Sequence, residues 1–420
     1  MYRLSLIMEN HPNMLDDSFD PVLDAGLDPG QLVTGLRNFV SMRQLRKSEF
    51  YRDHREKLRT LFGQPRISER PGCRPRLGSF LRVVAWNILY GTELEGIIHI
   101  LNEHPVLRYA DLIFLNEVDY GMGRSGLKDV ATEIGCAIDA HALFGIEYLE
   151  LADAHAASLP SVGLAPLHGN AILTRLPFSN ARIVRLPRCE NNFESIEKRL
   201  GGRSGLVVEV ELGGMRLTAA TAHLDVVNTP RCRQTQIREL LAEIEAAAGT
   251  SKPPPAIIGG DFNTHTFCRG GKLRAIGNLL RILSHDREQL QRCLLDPATR
   301  EPALLELHRF GYLTEGFNDG LPTNRAATAE LDKMNVLPGP VRRWALRKLG
   351  GPGFGLEFRL DWLAGRYLRP LLGSELVDDG TGVQSIQATT VQYLEHKGRS
   401  LSDHSPIVAD VVVEPGAQVI

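Results

Sequence analysis

Hydrophobic residues along this chain come in short blocks that end on polar side chains. Ala256-Ile257-Ile258 reads as a buried strand, broken by Gly259 and Gly260 and followed by Asp261 and Asn263. The glycines let the backbone turn sharply there. Asp261 and Asn263, two residues apart, would point the same way from an extended tip. The pattern recurs upstream. Leu81 to Ile88 is a β-rich run that reaches Trp86-Asn87, and Asp111 to Val118 is a strand carrying Asn116 and Glu117. His168 to Arg175 starts polar and continues apolar. The runs Leu206–Leu212 and Met215–Ala222 flank Gly213-Gly214, a hairpin signal, and the second delivers His223-Leu224-Asp225. Further strands are expected over Leu356–Leu363, with Asp361 inside, over Thr389–Tyr393, and over Pro406–Val413, just after Asp403-His404.

Helical spacing separates these runs. Leu94–Glu103 stops before Pro105, Leu127–Ile134 is a short helix, and Thr229-Pro230 opens a helix over Arg231–Ala248. Strands alternating with helices predict a layered α/β core, and the hairpin makes the sheets mixed. Residues 31–62 place apolar side chains as one or two amphipathic helices would, while 63–78, with Pro65, Pro71 and Pro75, reads as a linker. Residues 1–30 read as an irregular acidic arm. Residues 264–355 are the least regular, with helical pieces over Leu273–Leu283, Glu288–Leu295 and Ala303–Phe310, and read as an insertion or lid. The chain thus divides into an N-terminal extension, 1–78, and a domain, 79–415.

Composition narrows this only a little. With 43% hydrophobic residues in 420, a sizeable core can form. A net charge of -2 gives no global pull toward nucleic acid or membrane, so any such preference needs a local patch. Residues 31–62 are basic, with Arg37, Arg43, Arg46, Lys47, Arg52, Arg55, Lys57 and Arg59. They form either a solvated helix face or a patch for a phosphate-bearing polymer or anionic lipid. Cys73, Cys136, Cys189, Cys232, Cys268 and Cys293 form no CxxC pair, so neither a zinc knuckle nor a disulfide framework is expected. The expectation is a reduced, cytoplasmic setting. The first residues are too acidic for a secretory signal, and no apolar run is long enough to span a membrane. Nothing here specifies an oligomeric state.

Polar residues leave apolar runs at Asn87, Glu117, His223, Asp261 with Asn263, Asp361, and Asp403 with His404. One such strand end is ordinary. A series of them in one α/β domain points to a cleft, because clefts in these folds collect strand ends and the loops after them.

The ordered motifs Trp86-Asn87, Asn116-Glu117, Gly169-Asn170-Ala171-Ile172-Leu173, His223-Leu224-Asp225, Gly260-Asp261-Phe262-Asn263, Arg359-Leu360-Asp361-Trp362 and Ser402-Asp403-His404-Ser405-Pro406 resemble the endonuclease/exonuclease/phosphatase family. The resemblance covers about residues 80–263 and 356–413. It implies a four-layer α/β/β/α sandwich with two mixed β-sheets, and a Mg2+-dependent hydrolase of phosphoesters in which Mn2+ could substitute. It makes Glu117 the principal metal ligand, Asn87 a second oxygen ligand, and Asp403 a ligand or orienting group. His404 would contact the scissile phosphate and handle a proton, with Asp361 fixing its tautomer. Asp261 would orient or deprotonate the attacking water, Asn263 would hold a phosphate oxygen, and His223 would donate to the phosphate or leaving group. Asn170 would brace the cleft and Arg203 would reach substrate. Leu89 stands where the family often has an acid, which thins the expected metal shell. The substrate is left open between a small-molecule or lipid phosphoester and nucleic acid, for which Arg342, Arg343, Arg347 and Lys348 offer basic contacts. A non-catalytic scaffold would lack Glu117 or His404, and both are present. An interaction module on 31–62 would add to catalysis rather than replace it.

Overall fold

Three N-cap side chains start the described part of the chain. In this computed structural model, residues 26–151, 166–189, 191–195, 197–226, 229–249, 253–265, 277, 284–298, 300–327, 339–348, 355–373 and 382–414 are described. Asp28, Ser41 and Ser48 accept from the N–H groups of Gln31, Gln44 and Tyr51, opening helices α1 (Pro29–Arg37), α2 (Met42–Lys47) and α3 (Glu49–Gly63). Ser48 both ends α2 and caps α3, so the expected one or two helices are three. Leu32, Leu36, Leu45, Leu58 and Leu61 are buried in the same apolar cluster as Trp86, Leu115 and Phe144. The N-terminal extension therefore packs as part of the core. The segment read as a linker contributes strand β1 (Arg66–Ser68), antiparallel to β4.

The first sheet runs β1-β4-β5-β3-β2-β18-β14. Its strands are β2 (Leu81–Tyr90), β3 (Leu112–Tyr120), β4 (His141–Glu150), β5 (Leu167–Thr174), β14 (Leu368–Pro370) and β18 (Ile407–Val413), with the short β7 (Arg199–Gly201) on β4 and β15 (Thr389–Thr390) on β18. The second sheet runs β13-β10-β9-β8-β6: β6 (Phe178–Arg185), β8 (Ser204–Leu212), β9 (Met215–Ala222), β10 (Ala256–Asp261) and β13 (Asp361–Arg366). β2–β3 and β9–β10 are parallel and the other pairs antiparallel, so both sheets are mixed. Leu212 faces Met215 across the Gly213-Gly214 turn, as the hairpin signal predicts. Short ribbons β11 (Asn324–Ala327) with β12 (Gly355–Phe358), and β16 (Glu395–His396) with β17 (Arg399–Ser400), lie outside the two sheets.

Alternation along β2 shows how the layers form. Val83 and Ala85 face inward, with Phe114, Leu206, Val208 and Ile257, into the apolar layer between the sheets. Val84 and Trp86 face outward, against Ile97 of α4 (Leu94–Glu103) and Ile134 of α5 (Val130–Ala137). On the far side, Ile237 and Leu240 of α6 (Pro230–Ala248) and Leu304 and Leu307 of α8 (Pro302–Arg309) cover Val207, Ala220 and Ile258. This is the four-layer α/β/β/α sandwich. The helices α7 (Arg287–Leu295) and α9 (Gly339–Lys348) belong to the least regular segment.

Several expectations change. Leu127 sits at φ 60 and cannot begin a helix; α5 starts later, capped by Asp129. The strand expected over Leu356–Leu363 is two, because β12 pairs with β11 while β13 joins the second sheet. The helix expected over Leu273–Leu283, residue 277 apart, and the first 25 residues of the acidic arm lie outside the described residues. Cys189 and Cys232, expected reduced, are joined by a disulfide across a sequence separation of 43. Spacing alone could not pair them, since the loop after β6 meets the first turn of α6 only in the folded sandwich. Among the described residues no helix is long and apolar enough to cross a membrane.

Arg82 and Asp410 hold β2 to β18 from inside the first sheet. Both side chains are buried, and the guanidinium donates to the carboxylate through Nε and one terminal nitrogen, each at 2.7 Å. Removing one partner leaves a charge stranded in the interior. Asp410→Ala is therefore expected to destabilise the fold by about 3–5 kcal/mol, seen as a lower urea midpoint; an unchanged midpoint would contradict this role. Reducing Cys189–Cys232 with a dithiol should cost about 2–4 kcal/mol, and Cys232→Ser should lower the melting temperature equally in the absence of dithiol. A dithiol-insensitive melt of the parent protein would show that this crosslink does not form.

Candidate active site

Strand ends at one edge of the sandwich are bent out of regular pairing. β2 and β3 run in parallel register through Asn87 opposite Asn116, then shift between Asn87 and Tyr90. β3 and β5 shift between Leu115 and Val118. Leu89, Tyr90, Glu117 and Asn263 lie at φ 46, 67, 52 and 50. Side chains there cost roughly 1–3 kcal/mol each and persist only where the surroundings fix them. A bulge of this kind re-aims a side chain. At Glu117 it leaves a half-buried carboxylate to which no described residue donates a hydrogen bond.

Asp261 is the hub. Its backbone N–H donates to Asn116 Oδ1 at 2.7 Å. Its Oδ1 accepts from the Asn263 N–H at 2.9 Å, and its Oδ2 from Asn87 Nδ2 at 3.2 Å. The same Oδ2 lies 3.4 Å from His223 Nε2 and 3.8 Å from His404 Nε2. Asp361 stands opposite Asp261 in the β10–β13 register, and its Oδ2 meets His404 Nδ1 at 2.7 Å. Ligand-type atoms of Asp261, Asp361 and His404 all fall within 4.8 Å of one another.

Burial and charge push these groups apart. Burial first, then the Asp361 charge, raises Asp261 to about 7, against the pull of His404. Burial opposes a charge on His404, but the Asp361 and Asp261 carboxylates outweigh it and hold the imidazole well above its usual range. His223 goes the other way: burial, then Arg203, His168 and His404, hold it well below its usual range, and its Nδ1 has no partner among the described residues. Two histidines thus flank one carboxylate with their proton affinities shifted in opposite directions.

A buried polar chain supports the hub from behind. Asn116 Nδ2 donates to Asn170 Oδ1 at 2.8 Å. Asn170 Nδ2 donates to Glu147 Oε1 at 3.1 Å and to the Ser204 carbonyl at 3.2 Å. Glu147 Oε2 accepts from Arg203 at 2.9 Å, and Arg203 Nε lies 3.5 Å from Asp225. Burial weakens the Arg203 charge, but Glu147 more than compensates and its proton is held more tightly than usual.

The sequence-predicted residues are therefore not all equivalent. Asn87, His223, Asp261, Asp361 and His404 are brought together within hydrogen-bonding or near-contact distance. Glu117 joins them by charge: it is the largest influence raising the Tyr90 phenol, and it adds to the shifts of Asp261 and Arg203. Asn263 does not share an extended tip with Asp261. β10 ends at Asp261, and Asn263 turns back so that its Nδ2 donates to the Leu224 carbonyl at 2.9 Å. Asn170, expected to brace the cleft at its substrate-binding wall, is fully buried with its amide engaged inside the protein. Asp403 is exposed, accepts from Asn324 at 3.4 Å, and stands outside the Asp261 cluster.

Sequence reasoning missed Glu147 and Tyr90 and gave Asn116 no role. A lone acid inside the apolar run of β4 was the available signal for Glu147, since a buried charge needs partners. Tyr90 is covered by Arg124, whose guanidinium carbon lies 3.6 Å from the ring centre. Arg124 is held by Asp119 at 2.6 and 2.8 Å, and Asp119 also takes His168 at 3.0 Å.

Comparison with known proteins follows this geometry. Residues 84–346 match the model of the Endonuclease/Exonuclease/phosphatase family. Among solved structures, an endonuclease/exonuclease/phosphatase from Beutenbergia cavernae DSM 12333 is 17% identical, with 80% of this chain and 72% of that chain covered and a TM-score of 0.46. TDP2 of D. rerio, complexed with single strand DNA product, is 17% identical over 80% of this chain and 100% of that chain, TM-score 0.39. Sphingomyelinase C from Streptomyces griseocarneus is 13% identical over 79% and 99%, TM-score 0.40. No curated protein matches the chain. With well over half of its length matched by the family model, the chain belongs to the endonuclease/exonuclease/phosphatase family.

Proposed function

We propose that this phosphoester hydrolase works with Mg2+ and uses Asp261, His223 and His404 around the scissile phosphate. The observation that carries the reading is the Asp261 carboxylate flanked by His223 at 3.4 Å and His404 at 3.8 Å, with Asn87 on the same oxygen. Glu117 fits a hard cation, because its carboxylate takes no donor from the described protein and its charge reaches Asp261. Glu117 and Asn87 would hold the ion, with water completing its shell. When bound, such an ion offsets phosphate charge that would otherwise repel an attacking water.

The chain's own groups do the rest. Asp361 fixes His404 through Nδ1, leaving Nε2–H to donate to a phosphate oxygen or to the leaving group. Asp261 accepts a hydrogen bond from the attacking water and orients it, its own position set by Asn116 and Asn87. His223, neutral at its buried Nε2, donates to an oxygen of the phosphoryl group. Asn263 holds the Leu224 carbonyl and the Asp261 carboxylate in place rather than the phosphate. Arg203, held between Glu147 and Asp225, braces the wall behind the site. A small-molecule phosphoester, a lipid phosphoester and a nucleic acid all suit this chemistry.

The test is turnover of bis(p-nitrophenyl) phosphate. Chelation should abolish it, and added Mg2+ or Mn2+ should restore it. His404→Ala and Glu117→Ala should each lower kcat by roughly 10²–10⁴-fold; Glu117→Ala should keep the parent's melting temperature, while His404→Ala should stay folded but melt lower, because Asp261 and Asp361 lose their counter-charge; parent-like turnover in either variant would refute the assignment. Asn116→Ala should lower kcat by about tenfold with little change in KM, since it positions Asp261 without touching substrate. A change confined to KM would show that Asn116 contacts substrate instead.

A further inference from the structure

The basic segment of the N-terminal extension is not scattered over a helix face. It lines a cavity of about 690 Å³ between α2–α3 and the loop after β6, together with Arg185 and Arg188. Arg46, Arg55 and Arg59 come from the extension, and Glu56 is the only acid among the described residues of the lining. Glu56 is exposed and shared, 3.0 Å from Arg55 and 3.9 Å from Arg59, so it neutralises neither strongly. Arg46 and Arg188 are exposed and make no ion pair with any described residue. Tyr51 and Phe62, both half-buried, give the floor aromatic surface among Met42, Leu58 and Leu200. The helical wall lies before residue 84, outside the family match.

This cavity is tied to the catalytic rim. Arg185 lies over the Phe62 ring at 5.4 Å and donates to the carbonyls of Ile146 at 2.8 Å and Gly202 at 2.6 Å. The residues that follow these two, Glu147 and Arg203, form the ion pair behind Asp225 and Asn170. Arg188 leans on Gly202, where an added Cβ would lie 3.3 Å from its Nε. Burial, and then the neighbouring Arg188 charge against the pull of Glu147, draws the Arg185 guanidinium down to about 10, so positive charge is already crowded here. Arg185 and Arg188 thus stand between the cavity and the backbone that carries the Glu147–Arg203 pair.

We infer that this cavity is an exosite for a single-stranded nucleic acid, pairing backbone phosphates with Arg46, Arg55, Arg59 and Arg188 and resting a base on Tyr51 and Phe62. Guanidinium groups suit phosphate through paired N–H donors. Aromatic surface inside a concave site is reached by an unstacked base and not by a duplex edge. A lipid surface would need apolar side chains projecting outward, whereas here they form the floor. The net charge of -2 means that this local field, not the whole molecule, must capture the strand. The inference rests on the phosphoester-hydrolase reading for its purpose, since the strand would lead to the Asp261 centre, but binding is measured without turnover.

The test is anisotropy of a short fluorescein-labelled oligothymidylate with the full chain in excess chelator. The parent should bind, with log Kd rising steeply with log salt. Arg46→Glu/Arg59→Glu/Arg188→Glu should weaken binding by at least about tenfold and lower the salt slope by roughly 2, at about 0.7 per phosphate contact. The same variant should hydrolyse bis(p-nitrophenyl) phosphate like the parent, which keeps folding and chemistry separate from the exosite. Tyr51→Ala should weaken binding with an unchanged salt slope. Failure of the parent to bind, equal binding by the triple variant, or loss in that variant of binding only to phosphatidylserine vesicles would overturn the inference. Inactive Glu117→Ala that still binds the oligonucleotide would uphold it even if the catalytic reading failed.

Discussion

Two buried carboxylates face each other across one rung of a ladder, Asp261 on β10 and Asp361 on β13. Like charges at that spacing in a dry interior cannot both be carried without a counter-charge. His404 supplies it, hydrogen-bonded to Asp361 and 3.8 Å from Asp261. The triad is therefore one electrostatic unit, and its protonation cannot be changed at one member alone. Such a unit is costly to build and stable only where every partner is fixed. The register of β10 against β13 and the hydrogen bond from Trp86 Nε1 to the His404 carbonyl, at 3.0 Å, supply that fixing. Trp86, quoted in the sequence beside Asn87, thus anchors the loop that carries the histidine.

Much of the fold was legible because its signals were local. An apolar block ending in a polar residue marked β2, β3, β9 and β10, and a Gly-Gly step marked the β8–β9 hairpin. The members of the site were legible for the same reason, since each closes an apolar run. Their distances were not. Asn263 looked like a partner of Asp261 because period-two alternation assumes an extended chain, and the backbone there is left-handed. Asn170 was expected to brace the cleft, and its apolar setting buries it fully, with its amide on Asn116, Glu147 and Ser204. The Leu127 boundary and the split of the 356–363 strand are local backbone choices decided by tertiary pairing. The Cys189–Cys232 link joins segments that only the closed sandwich brings together.

Leu89 had raised a doubt about the metal shell, because an acid was expected there. The structure gives that position a different use. Its left-handed backbone lets the Leu89 N–H bond Asn87 Oδ1 at 3.1 Å, which orients the Asn87 amide so that Nδ2 meets Asp261. An acid at the same site would place a further negative charge beside an aspartate already raised to about 7. The thin ligand set and the crowded carboxylate pair are thus consistent with one another.

The polar chain behind the hub explains why the cleft can be stiff although it sits where the apolar layer ends. Asn116 and Asn170 belong to the first sheet, while Ser204, Thr221 and Asp261 belong to the second. Their hydrogen bonds cross the gap between the sheets, and Glu147 closes the chain onto Arg203. A network whose members all find partners rigidifies, whereas one missing member leaves several buried groups unpaired. Position of the Asp261 carboxylate is therefore set by residues up to two hydrogen bonds away that never reach the cleft. The arginine cavity hangs on the same chain, because Arg185 grips the backbone on both sides of the Glu147–Arg203 pair. The extension, held by its apolar packing, thus also touches the backbone of the catalytic rim through Phe62 and Arg185.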